Sequence, residues 1–240
     1  PSTATTRTGL AAASPSRLLR DAARATARLR SYHVSGTQTD KDGRTTMAAD
    51  VAADGRMRAR LVMGRQVVQV ITVDSDTYIR ANRAYWEAIG GAHLPLLADR
   101  WVKAPSAATA DLRSSLRKLL PDHLAACMRK SAGATGIVNE GVRQWHGRPV
   151  IVLRDPGRSP GTSPGRLYLS ASDRPLIVRQ TQTGPRVPGG RIDADCDDPK
   201  SSVVRADAAF DHYDRVGPIA APPDALDLDR LVPPKDLTPA

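Results

Sequence analysis

The chain has 240 residues, with Lys+Arg 35 against Asp+Glu 25 and a formal net charge of +10. A chain of this length buries about 70% of its unfolded surface, enough for one all-β or α+β domain. The basic residues are overwhelmingly Arg and are scattered along strands and helices, which reads as a solvated surface. There is no zinc-finger spacing, aromatic RNA-binding strand or basic block, so nucleic acid is excluded as the expected partner. No run is long and apolar enough to span a bilayer, and no signal peptide is present. With one Phe, three Trp and five Tyr, the sheet faces carry Ala, Val and Met instead. Small or flexible side chains fill a core poorly and leave room for a guest.

Pro1–Ser14 is rich in Ser, Thr and Ala without periodicity, the composition of a flexible tether. Because the first residue is Pro, a processed or trimmed chain is expected. Ser14 is a candidate N-cap and Pro15 suits a first helical turn, so a helix is predicted from there to about Arg30. Leu18, Ala22, Ala25 and Leu29 form its apolar stripe, beside a solvated stripe of Arg17, Arg20, Arg24 and Arg28. Tyr32–Thr39 reads as the first strand. His33 has no partner at ligand spacing and is expected on the strand surface.

A meander follows: Thr45–Ala53, Arg58–Met63, Val67–Val73 and Thr77–Ala81. Its breaks, Asp54-Gly55, Gly64-Arg65 and Asp74-Ser75-Asp76, are too short for crossover helices, so the strands are antiparallel neighbours. Thr45, Met47, Ala49, Val51 and Ala53 share one face, and Ala59, Leu61 and Met63 oppose Arg58, Arg60 and Val62. One side is therefore apolar and the other wet. Trp86 and Trp101 are read as rim or core packing, or else as the border of a ligand entrance. Ala110–Leu120 and His123–Ser131 are predicted helices broken at Pro121-Asp122, a natural lid for the sheet. Leu112, Leu116 and Leu119 would then face the Met47 and Met63 side.

The second half is again rich in strands: Thr135–Val142, Gln144–Leu153, Arg166–Ser170, Leu176–Thr183 and Ser202–Tyr213. Gly157–Gly165 and Gly184–Gly190 are predicted loops. The Pro-rich end from Pro218 is expected to run extended over the surface.

No G-x-S-x-G, H-E-x-x-H, P-loop or G-x-G-x-x-G pattern occurs, and the five His residues are dispersed. Neither an enzyme nor a cofactor is expected. Asp193-Ala194-Asp195-Cys196-Asp197-Asp198 starts like a calcium loop but places Asp198 where glycine must turn and Val204 where the bidentate Glu belongs, so no metal is expected. Cys127 and Cys196 are too far apart for a redox pair; they are either a disulfide or two buried thiols, and export would favour the disulfide.

Thr77-Tyr78-Ile79-Arg80, Tyr85-Trp86, Arg100-Trp101-Val102-Lys103 with Pro105, and Phe210–Tyr213 with Val216-Gly217-Pro218-Ile219 carry a resemblance over about Ser16 to Pro223. In this order, with mid-chain helices, the chain resembles actinobacterial lipoproteins of the LppX/LprG type within the LolA-like superfamily. The resemblance implies an α+β fold, a strongly curved antiparallel half-barrel with helices on its concave face. It also implies a hydrophobic cavity for acyl chains and a role in binding or carrying lipids at the envelope. A lipidated cysteine upstream of Pro1 would tether the chain to the outer face of the cell membrane, with residues 1–14 as tether, 15–223 as one domain and 224–240 as a tail.

The leading expectation is a lipid or acylated ligand bound without catalysis. Its lining is drawn from Met47, Val51, Leu61, Met63, Val68, Val70, Leu112, Leu116 and Leu119. The alternative is a sensor or regulator module in which a protein partner replaces lipid, as the superfamily's periplasmic regulators suggest.

Overall fold

The computed structural model describes residues 12–90, 94–189, 196 and 202–231. Among them, α1 (Pro15–Thr26) is followed by five antiparallel strands: β1 (Ser31–Asp40), β2 (Gly43–Ala52), β3 (Met57–Met63), β4 (Gln66–Val73) and β5 (Asp76–Ala81). A helical excursion, α2 (Arg83–Ile89) and a 3-10 turn at Leu94–Leu97, leads to β6 (Val102–Ala104). Then come α3 (Ala110–Arg117), α4 (Pro121–Ser131), β7 (Val138–Trp145), β8 (Arg148–Asp155), β9 (Gly165–Ser170), β10 (Ile177–Gln182) and β11 (Arg205–Asp211). The short β12 (Leu226–Asp227) and α5 (Leu228–Leu231) close the described chain. The strands form one open sheet in the order β12-β6-β5-β4-β3-β2-β1-β11-β10-β9-β8-β7. It is two meanders joined where β1 pairs with β11, an α+β fold with the helices on the concave face.

The turns follow the expected chemistry. Gly64 sits at φ 56°, the positive value a glycine-first turn requires, and Asp74 takes φ 55°, a region aspartate tolerates. The next hairpin differs from the expectation of a break at Arg143. The chain turns at His146-Gly147, both at positive φ (46° and 71°), the pairing of a tight two-residue turn. The helix expected to reach Arg30 ends at Thr26, because β1 begins at Ser31 and the chain must reverse between them. Ser14 caps α1 by accepting from the Arg17 N–H at 3.3 Å, and all four arginines of the polar stripe are exposed. At the far end, where an extended tail was expected, the Leu226 N–H donates to the Trp101 carbonyl and β12 runs parallel to β6.

Register makes the core explicit. One row crosses seven strands through Phe210, Val34, Ala49, Ala59, Val70, Ile79 and Val102, all buried. Over the concave side α1 packs on α4, with Leu18, Ala22 and Ala125 fully buried. The Ser16 hydroxyl ties α1 to the Ala132 carbonyl after α4, and the Tyr32 hydroxyl donates to the Leu119 carbonyl between α3 and α4. On the opposite face, cross-strand ion pairs employ the arginines. Glu140 accepts from Arg154 Nε at 2.6 Å and from Arg166 Nε at 2.9 Å, linking β7, β8 and β9. Arg58 Nη2 and His33 Nδ1 meet Asp50 at 2.5 and 2.7 Å, which places His33 on the strand surface, as expected. No helix among the described residues is long and apolar enough to cross a membrane.

Candidate functional site

The concave side is not completely filled. A cavity of about 440 Å³ lies between α1 and α4 on one side and β8, β9 and β10 on the other. Leu19 from α1, Leu124 and Met128 from α4, Leu153 from β8, Leu167 from β9 and Ile177 from β10 form its apolar wall. Lys118, His123, Asp155, Gln180, Gln182 and Arg186 bring polar groups to its border. Arg166 also borders it, but Arg166 alternates with Leu167 and its guanidinium is engaged by Glu140 on the opposite face. That pairing holds the Glu140 carboxyl below the usual carboxylate range, chiefly through the hydrogen bond from Arg166. The size matches ordinary small-molecule sites.

The register places the cavity at one end of a row on the concave face. One concave row runs Leu153, Leu167, Gln180, Ala208, Gly36, Met47, Leu61, Val68 and Ala81. Its middle is one exposed amide and two of the smallest residues. A Cβ on Gly36 would stand 2.8 Å from Ala208 Cα and closer still to the Asp207 carbonyl, so the position admits no side chain. Neither Gly36 nor Ala208 lines the cavity, which takes only the Leu153, Leu167 and Gln180 end of this row.

The sequence-expected lining lies away from the cavity, on β2, β3 and β4 and on and just after α3. Val51, Val68, Val70 and Leu116 are buried in the core, while Met47, Leu61, Met63, Leu112 and Leu119 are half-buried against it. None of these nine lines the cavity. Trp86 is buried, with its ring edge-on to Tyr85 at 5.4 Å, and neither Trp86 nor Trp101 borders the cavity. What marked the cavity in the sequence was polar alternation in β10: Gln180 and Gln182 share a side with Leu167 and Gly165 of β9, where apolar residues would cover a dry core.

Cys127 of α4 is joined to Cys196 in a disulfide with Cα atoms 5.4 Å apart, and both border the cavity. His123 stands beside them, its ring nitrogen and the two sulfurs all within 4.8 Å of one another. The rest of the candidate calcium loop lies outside the described residues.

No family model matches the sequence, and neither does any curated protein. Solved structures do match. LprF from Mycobacterium bovis aligns at TM-score 0.50 and 15% identity, covering 87% of this chain and 96% of that one. The Mycobacterium tuberculosis lipoprotein LppX aligns at TM-score 0.51 and 13% identity, covering 86% of this chain and 98% of that one. The chain has the fold of LprF and LppX. The resemblance expected from the sequence is thus found in the architecture: an LppX-type open antiparallel sheet with helices on its concave side.

Proposed function

We infer that the protein binds a lipid or another acylated ligand in the cavity between its sheet and helices, without chemistry of its own. The observation that carries this reading is the hollow of about 440 Å³ that α1 and α4 leave over β8, β9 and β10, with an apolar wall and a polar border. Binding would come from desolvating an acyl chain, at about 0.8 kcal/mol per buried CH₂. A chain outgrowing the hollow would cross Gln180, Ala208 and Gly36 to reach Met47 and Leu61, with Met63, Leu112 and Leu119 beside them. Such a path would join the cavity to the lining expected from sequence. The disulfide fits an extracytoplasmic location, where such bonds persist. In this reading an anchor upstream of Pro1 holds the domain to the outer face of the membrane.

Native mass spectrometry of protein extracted under mild conditions should show a co-purified lipid. A fluorescent fatty-acid analogue should bind the wild type and be displaced by unlabelled chains. Leu167→Trp, which fills the hollow from a half-buried position, should reduce that binding tenfold or more with unchanged circular dichroism. Equal binding by folded Leu167→Trp would overturn the assignment to this cavity.

A further inference from the structure

His123 and Cys127 stand one helical turn apart on α4, so their side chains leave the same face of the helix. Cys196 meets them from 69 residues beyond Cys127. The three residues are half-buried on the cavity wall, and their ligand atoms lie within 4.8 Å of one another. We propose that the chain in its dithiol form holds one Zn²⁺ through His123, Cys127 and Cys196.

The ligand set selects the ion. Two thiolates and an imidazole suit zinc, whereas magnesium and calcium require oxygen. Zinc at roughly 2.3 Å from sulfur and 2.0 Å from nitrogen sets tetrahedral neighbours about 3.3–3.8 Å apart. In the oxidised chain the two sulfurs are bonded to each other, so they must part to about 3.8 Å, while the His123 nitrogen already stands within 4.8 Å of both. The Cα atoms of Cys127 and Cys196 stand 5.4 Å apart, and side-chain rotation would part the sulfurs. Three protein ligands leave the fourth tetrahedral position to water.

The chemistry balances with an external dithiol. It delivers two electrons and two protons to the Cys127–Cys196 bond, giving two thiols, and leaves as its own cyclic disulfide. Zn²⁺ then displaces the two thiol protons into solvent. Disulfide and metal are alternative uses of the same two sulfurs, so the oxidised chain supplies neither thiolate. This site is independent of the acyl-binding reading.

The test uses the whole chain, reduced with a dithiol, freed of reductant without oxygen, and titrated with Zn²⁺ against a chromophoric chelator. The reduced wild type should bind one equivalent, the oxidised wild type none, and reduced His123→Ala should bind roughly tenfold more weakly or worse. Binding by reduced His123→Ala equal to wild type, or equal binding by the oxidised chain, would overturn the proposal. If reduction unfolds the chain, Zn²⁺ should restore the wild-type circular dichroism spectrum and leave His123→Ala unfolded, because metal binding is then coupled to folding. Failure of the wild type to refold would equally overturn it.

Discussion

Met47 of β2 and Leu167 of β9 stand in the same row of the concave face, with β1, β11 and β10 between them. Leu167 lines the cavity and Met47 does not. This predicts a dependence on chain length. Affinity for saturated acyl chains should rise by about 0.8 kcal/mol per CH₂ until the hollow is full, and then level off or climb more slowly. Met47→Ala should leave short chains unaffected and weaken only those longer than the hollow. Calorimetric titration with a homologous series checks both; an equal loss for the shortest chains would show that the ligand starts at Met47.

Much of this architecture was legible in the residues, for local reasons. Gly64 and Asp74 mark their turns, the alternation of Ala59, Leu61 and Met63 against Arg58 and Arg60 sets a face, and Pro121 divides α3 from α4. The His146-Gly147 turn was missed because the apolar alternation of β7 is weak: only Val138, Val142 and Trp145 stand among polar residues. The β1–β11 pairing joins segments far apart in sequence, and no local signal encodes it. The hollow lay beyond reach for the same reason. Which rows the helices cover depends on how α1 and α4 pack together, and Gly36 gains its meaning only from Asp207 and Ala208 opposite.

Gly36→Ala tests that meaning. The added methyl group would collide with main-chain atoms of β11, which cannot rotate away as a side-chain tip would. Overpacking of this kind costs about 1–3 kcal/mol. Because β1–β11 is the seam between the two meanders, the loss should appear as a lower urea midpoint for the whole domain. Ser35→Ala on the same strand serves as the control. An unchanged midpoint for Gly36→Ala would mean that the seam has slack.

The Cys127–Cys196 bond closes a loop with a sequence separation of 69. In the chain-entropy view, such a link stabilises the fold by about 4 kcal/mol relative to the open chain. Reduction, or the double change Cys127→Ala with Cys196→Ala, should therefore lower the thermal midpoint strongly. Both residues border the cavity, so ligand affinity should fall as well. Scanning calorimetry with and without reductant reads the first effect and dye displacement the second; a midpoint insensitive to reductant would show that the helices hold without the link.

Tyr32 and Tyr213 make stability sensitive to alkali. The Tyr32 hydroxyl donates to the Leu119 carbonyl and the Tyr213 hydroxyl to the Ile177 carbonyl. Burial raises both phenols well above their ordinary value of 10.0, and for Tyr32 the proximity of Tyr213 adds to it. A phenol held neutral in the fold contributes stability that is fully present below the unfolded value of about 10 and is lost as pH rises towards the folded value. The domain should therefore weaken from about pH 10 upward, well clear of neutrality. Tyr32→Phe removes one of these groups. At pH 7 it should cost about 1 kcal/mol, because the Leu119 carbonyl loses its donor. Above about pH 10 its stability should fall less steeply than that of the wild type, so the two curves converge. Urea denaturation across this range reads both effects, and parallel curves would mean that Tyr32 reaches solvent in the folded protein and ionises freely there.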